Sequence, residues 1–183
     1  MTHKTWRWAL VLAAVLACRA AAADDPLAGL VLDDASGRPR ALDELRGRPV
    51  LLVIADRRAS QQANEWGARL AALGLALAPW SGPGRVAWLS IADLRGVPEY
   101  AREDARDRLR EREAGRGELE RRQCSPLLLD WDGRLAESFQ GTRGEALLVL
   151  LSQDHRIVHR EQGAPADEAV GRLGAAVDTV TPR

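Results

Sequence analysis

The sequence predicts an α/β fold: a mixed central β-sheet flanked by helices, made by one domain. Three observations point there. The first is an uninterrupted apolar run, Val50–Ala55, which reads as a strand buried on both faces of a sheet. The second is a change of period directly after it, where Ala63, Trp66, Leu70 and Leu73 recur at helical spacing. The third is the alternation of further apolar runs with helical stretches along the rest of the chain.

Length and composition set the frame. The chain has 183 residues, 46% hydrophobic and 28% charged, with only 4% aromatic. Leu, Val and Ala must therefore supply most of the core. Lys4 and Arg7 precede an apolar run of about ten residues, followed by four alanines before Asp24. This is the layout of a secretory signal, and the run is too short to span a bilayer, which takes roughly 20 residues. Residues 1–23 are expected to be a signal peptide cleaved after Ala23, and 24–183 a single domain. Val15-Leu16-Ala17-Cys18 also fits a lipobox, which would make the protein an envelope lipoprotein anchored through Cys18; the alanines before Asp24 favour cleavage. Either way the sequence predicts a periplasmic, secreted or envelope-bound protein. After cleavage Cys124 is the one cysteine, so no internal disulfide is expected.

The full chain balances 26 basic and 26 acidic residues, and residues 1–23 hold three bases and no acid, leaving about −3 on the remainder. That excludes the basic face of a nucleic-acid binder. No cofactor is expected.

Taken in order, Leu30 to Asp33 is a short strand and Ser36-Gly37-Arg38-Pro39 a turn. Leu42 to Gly47 is one helical turn closed by glycine, leading into the central strand. Ser60 is a suitable N-cap for the helix that follows. Arg85 to Ala92 is a second buried strand. Pro98 precedes a highly charged segment over residues 99–122, with Tyr100, Leu109 and Leu119 as sparse anchors and Asp104–Arg108 and Glu118–Arg122 as (i, i+4) pairs. It reads as a solvated face with compensating charges rather than a binding surface. Leu127 to Asp130 is a third strand, Ala146 to Ser152 and Arg156 to Arg160 a hairpin. A final helix aligns Ala169, Leu173, Ala176 and Val177 on one face.

These pieces resemble a known family. Leu42-Asp43-Glu44-Leu45-Arg46-Gly47-Arg48-Pro49-Val50-Leu51-Leu52 is similar to the entry to the central strand of TlpA/peroxiredoxin-type (AhpC/TSA) redoxins of the thioredoxin-like superfamily. Leu127 to Leu135 resembles their second signature and Leu148 to Gly163 their closing hairpin. The resemblance implies a thioredoxin-like sandwich with its active turn after the central strand. Where redox-active members carry Cys-x-x-Cys or a peroxidatic cysteine, this chain has Ala59-Ser60-Gln61-Gln62. Where they carry a cis-proline it has Ala146, and an ordinary trans bond is expected. The closest likeness is to cysteine-less periplasmic proteins of the YtfJ type.

What this implies is a thioredoxin-like protein without catalytic residues, binding a protein or peptide through a degenerate active-site turn. That turn would use Asp56, Arg57, Arg58, Ala59, Ser60, Gln61 and Gln62, with Glu145 and Ala146 opposite. The alternative is a thiol-dependent oxidoreductase or antioxidant protein using Cys124, lipid-free Cys18 or a partner's thiol, since Arg121 and Arg122 would favour a thiolate at Cys124. His155 and His159 lack metal-ligand company and are expected to be two surface histidines.

Overall fold

The computed structural model describes residues 25–73, 77–78, 80, 86–115 and 126–181. The predicted leader, with Cys18, and Cys124 lie outside the described residues. Strands β1 (Val31–Asp34), β2 (Pro39–Ala41), β3 (Val50–Ala55), β4 (Leu77–Ala78), β5 (Val86–Asp93), β6 (Leu127–Asp130), β7 (Leu147–Leu151) and β8 (Ile157–Gln162) form one mixed sheet. Its order is β2-β1-β6-β5-β3-β7-β8, with β4 beside the start of β5. Among the described residues four α-helices flank it: α1 (Ser60–Ala72), α2 (Arg102–Ala114), α3 (Arg134–Ser138) and α4 (Asp167–Val180). A 3-10 turn, Leu42–Leu45, precedes β3, and another, Glu99–Ala101, precedes α2.

The expected central strand is central. β3 runs parallel to β5 and antiparallel to β7, and its alternate residues feed two cores. Leu51 and Val53 face the cluster of Trp66, Leu70, Trp88, Leu173 and Val177, beneath α1 and α4. Val50, Leu52 and Ile54 face Leu27, Leu42, Leu45, Leu135 and Phe139 on the opposite side. A strand covered on both faces has no polar side, which is why its sequence is a continuous apolar run. Trp66, expected on the sheet side of its helix, is fully buried.

Several expectations are corrected. Tyr100 anchors nothing: it is 90% exposed. No ion pair joins Asp104 to Arg108 among the described residues; Arg110 pairs instead with Asp107 at 3.0 Å. Pro39 is already in β2, because Gly37 at φ +82 completes the turn before it. His155 is not a surface residue but 1% exposed, because the turn between β7 and β8 folds its ring onto Asp25 and Leu45.

A thiol-free turn closed by its own side chains

At the carboxyl end of β3 the chain turns through Asp56, Arg57, Arg58 and Ala59 into α1. Asp56 organises the turn. Its Oδ1 accepts the backbone N–H groups of Arg58 and Ala59, both at 2.9 Å, so it satisfies donors that a helix start otherwise leaves open. The expected cap, Ser60, does not do this: the N-cap position is Ala59, without a side-chain cap bond. Ser60 is the first helical residue, and its Oγ donates to the Arg57 carbonyl at 3.0 Å. Asp56, four residues upstream, takes the role because its carboxylate lies against these N–H groups, while the serine hydroxyl is turned to Arg57.

The same turn is tied to the loop before β7. Asp56 Oδ2 accepts the Gly144 N–H at 2.9 Å, and Gln62 Oε1 accepts the Ala146 N–H at 2.8 Å. The Ala146 carbonyl accepts from Gly163 N at 2.8 Å, and the Gly163 carbonyl accepts from Trp66 Nε1 at 2.9 Å. These bonds make a circuit that leaves α1 at Gln62, crosses to β7 and the end of β8, and returns to α1 one turn later. Ala59 and Ala146 are each 0% exposed. They belong to the seam, and neither presents a surface. Among the described residues every peptide bond is trans, including those at Ala146. Behind the seam a cavity of about 10 Å³, lined by Asp56, Asp93, Arg95 and Glu145 among others, has room for roughly one water.

The remaining predicted site residues stay outside the seam. Gln61 is exposed, its amide on Glu65 at 3.2 Å. Glu145 is exposed and accepts from Gln162 Nε2 at 2.8 Å. Arg57 and Arg58 are exposed, and their guanidinium groups make no hydrogen bond or ion pair with any described residue. Sequence reasoning missed a third such residue, Arg143, equally exposed and unpaired. A methyl placed on Gly144 would stand 3.9 Å from Arg58 Cδ, and one on Gly96 3.9 Å from Arg143 Nη2. Arg58 thus lies against the loop before β7, and the Arg143 guanidinium reaches from that loop toward the one after β5. The signal for Arg143 was an arginine directly before Gly144, a residue held at φ +82. Most other described arginines are engaged with acids or carbonyls of the chain; Arg38, Arg108 and Arg112 are not, and they lie on the β1–β2 turn and α2.

Two further aspartates end the neighbouring parallel strands. Asp93 pairs with Arg95 at 2.8 Å. Asp130 accepts from the N–H groups of Arg134 and Leu135 at 3.1 and 2.9 Å, starting α3. Burial pushes the Asp130 carboxyl above the usual aspartate range; Asp93 adds to this, and the backbone donors oppose it. With every oxygen facing an internal donor, these carboxylates hold turns together. No group of three or more potential metal ligands occurs among the described residues, and no described helix is long and apolar enough to cross a membrane. The turn itself offers no thiol, and thiolate chemistry requires one.

The sequence matches no protein-family model, and it matches no curated protein. Solved structures do resemble it. The exposed lipoprotein thioredoxin Etrx1 of Streptococcus pneumoniae superposes with a TM-score of 0.57 at 14% identity, over 80% of this chain and 97% of that one. Peroxiredoxin Q of Xanthomonas campestris gives 0.54 at 15% identity, over 85% and 94%. The N-terminal domain of PilB from Neisseria gonorrhoeae gives 0.54 at 14% identity, over 83% and 89%. At identities this low the likeness is one of fold. By its fold this chain is thioredoxin-like, built around a turn that contains no thiol.

Proposed function

We propose that this protein is an exported, non-catalytic thioredoxin-like domain that binds an acidic peptide segment of a cell-envelope partner. The observation that supports it is the exposure of Arg57 and Arg58 on the closed turn and of Arg143 on the loop bonded to it, all three without internal partners. A guanidinium is permanently charged and grips a carboxylate with paired hydrogen bonds. The acids beside these arginines are already engaged, Asp56 by three backbone N–H groups and Glu145 by Gln162. The backbone donors of Gly144 and Ala146 are also occupied. The partner would therefore lie along the arginine rim, with Gln61 and Glu145 at its margins, and not in a groove between turn and loop.

Export rests on the signal-like leader, with the domain taken as 24–183 and cleavage after Ala23. Asp25 and Leu27 are already part of the folded body, Leu27 with 0% exposure. The pneumococcal neighbour, an exposed lipoprotein by name, accords with an envelope setting by either processing route.

The test uses a fluorescent oligoglutamate peptide as probe. Binding is expected to weaken at least tenfold in Arg57→Ala/Arg58→Ala/Arg143→Ala. Each arginine contributes about 1–3 kcal/mol if its bonds to a charged group are desolvated. Melting should stay near wild type, since none of the three has a partner to lose. Equal binding by both proteins, or no binding by wild type, would reject the rim. The purified protein should reduce no insulin disulfide and consume no peroxide. Turnover that disappears in Cys124→Ser would instead establish the thiol-dependent alternative.

A further inference from the structure

His155 occupies the tight turn between β7 and β8 at φ +58, a backbone conformation uncommon outside glycine. This places its imidazole in the interior with 1% exposure. Nδ1 lies 3.0 Å from Asp25 Oδ1, and Nε2 lies 3.3 Å from the Leu45 carbonyl oxygen. A carbonyl only accepts. Asp25 also only accepts while ionised, and it is held below the usual aspartate range. Burial alone would raise it, but the Leu27 N–H, the His155 ring and Arg46 outweigh that. A neutral imidazole has one N–H and cannot donate to both neighbours. Only the imidazolium satisfies them together.

Three elements meet at the ring. The N-terminal segment contributes Asp25. The turn before β3 contributes Asp43 and Arg46, with Arg46 bridging Asp25 at 3.0 Å and Asp43 at 3.7 Å. The hairpin turn contributes Asp154 and Arg156, paired with each other at 3.4 Å. Of these only the Asp25 carboxylate touches the ring, and Arg46 holds that carboxylate by its other oxygen.

We propose that His155 is a proton-dependent latch that fastens the N-terminal segment 25–30 and the β7–β8 turn to the 3-10 turn Leu42–Leu45. With its proton, the ring donates in both directions. Without it, the remaining N–H serves only one neighbour, and a buried nitrogen lone pair is set against an oxygen. The segment that loosens carries Leu27, which otherwise fills the core on that face of the sheet.

The experiment uses the processed protein. ¹⁵N NMR of its histidine rings, with His159→Gln to assign the signals, should find both His155 nitrogens protonated at pH 5. Amide exchange over residues 27–30, corrected for the intrinsic rate, should be at least tenfold less protected at pH 8 than at pH 5, the interval in which imidazole changes charge. In His155→Gln that pH dependence should vanish. A single ring N–H at pH 5, or equal protection at both pH values in wild type, would overturn the latch. Should the variant fail to fold, the two wild-type measurements decide.

Discussion

Helices α1 and α2 are each thirteen residues long and each follows a strand of the parallel core, yet they are attached by opposite chemistry. α1 buries Trp66 and Leu70 completely against the sheet. α2 buries no residue at all. Its contact stripe is arginine: Arg102, Arg106 and Arg110 recur at i, i+4 and i+8 where a core-facing helix carries leucine. Arg102 and Arg106 lie over the Trp131 ring, 5.4 and 5.5 Å from its centroid. Arg106 also meets Asp33 at 3.0 Å, Arg102 meets Asp132 at 3.6 Å, and Arg110 donates to the Ala35 carbonyl at 3.3 Å. Guanidinium suits this because it is weakly hydrated and stacks flat on an aromatic face, while its stem covers apolar surface. Helical periodicity thus docks a helix whichever residue type carries it, but the energy and its sensitivity to solvent differ.

The largest expected effect lies on the α1 side. Trp66→Ala should cost about 3–5 kcal/mol, removing a buried indole and leaving the Gly163 carbonyl without its donor. In thermal melts this is a loss of roughly ten degrees or more for a chain of this size, and added salt should not restore it. Trp131→Ala comes next, at about 1–2 kcal/mol from two partly exposed cation–π contacts. Hydrogen exchange should report the loss in residues 102–114 while the core strands keep their protection. A cost equal to that of Trp66→Ala would mean that α2 is held by buried apolar contact after all. Asp33→Asn should be smallest, below about 1 kcal/mol for a partly exposed pair. Repeating the melt in 1 M salt, where screening acts within about 3 Å, should erase the difference. A penalty that persists in salt would show that Asp33 serves the β1–β6 pairing and not Arg106.

The contrast also explains what sequence reading captured. β3 and α1 were legible because burial on both faces, then on one, leaves apolar patterns of different period. The arginine stripe of α2 has the same period, but its charges read as solvated, since nothing nearby in sequence announces Trp131 as the surface they cover. At the site, the absence of thiols and the arginines at 57 and 58 were legible residue by residue. The capping role was assigned to Ser60 and belongs to Asp56, because both are good acceptors and only three-dimensional position ranks them. Arg143 was missed because it lies two residues before Glu145, outside the pair expected opposite the turn.

Residue order alone implies an α/β chain with a doubly buried central strand, a helix after a polar turn, and no cysteine in that turn. Each of these follows from local composition or period. Tertiary structure alone decided that Gln62 would meet the Ala146 backbone 84 residues away and His155 would meet Asp25 across 130. In the first of these contacts one partner is a backbone N–H, which every residue but proline possesses. In the second, a histidine in a hairpin turn is interior because Asp25 and Leu45, distant in sequence, pack against its ring. Such pairings leave no pattern along the chain: they exist once the sheet has brought the ends of β3, β7 and β8 together.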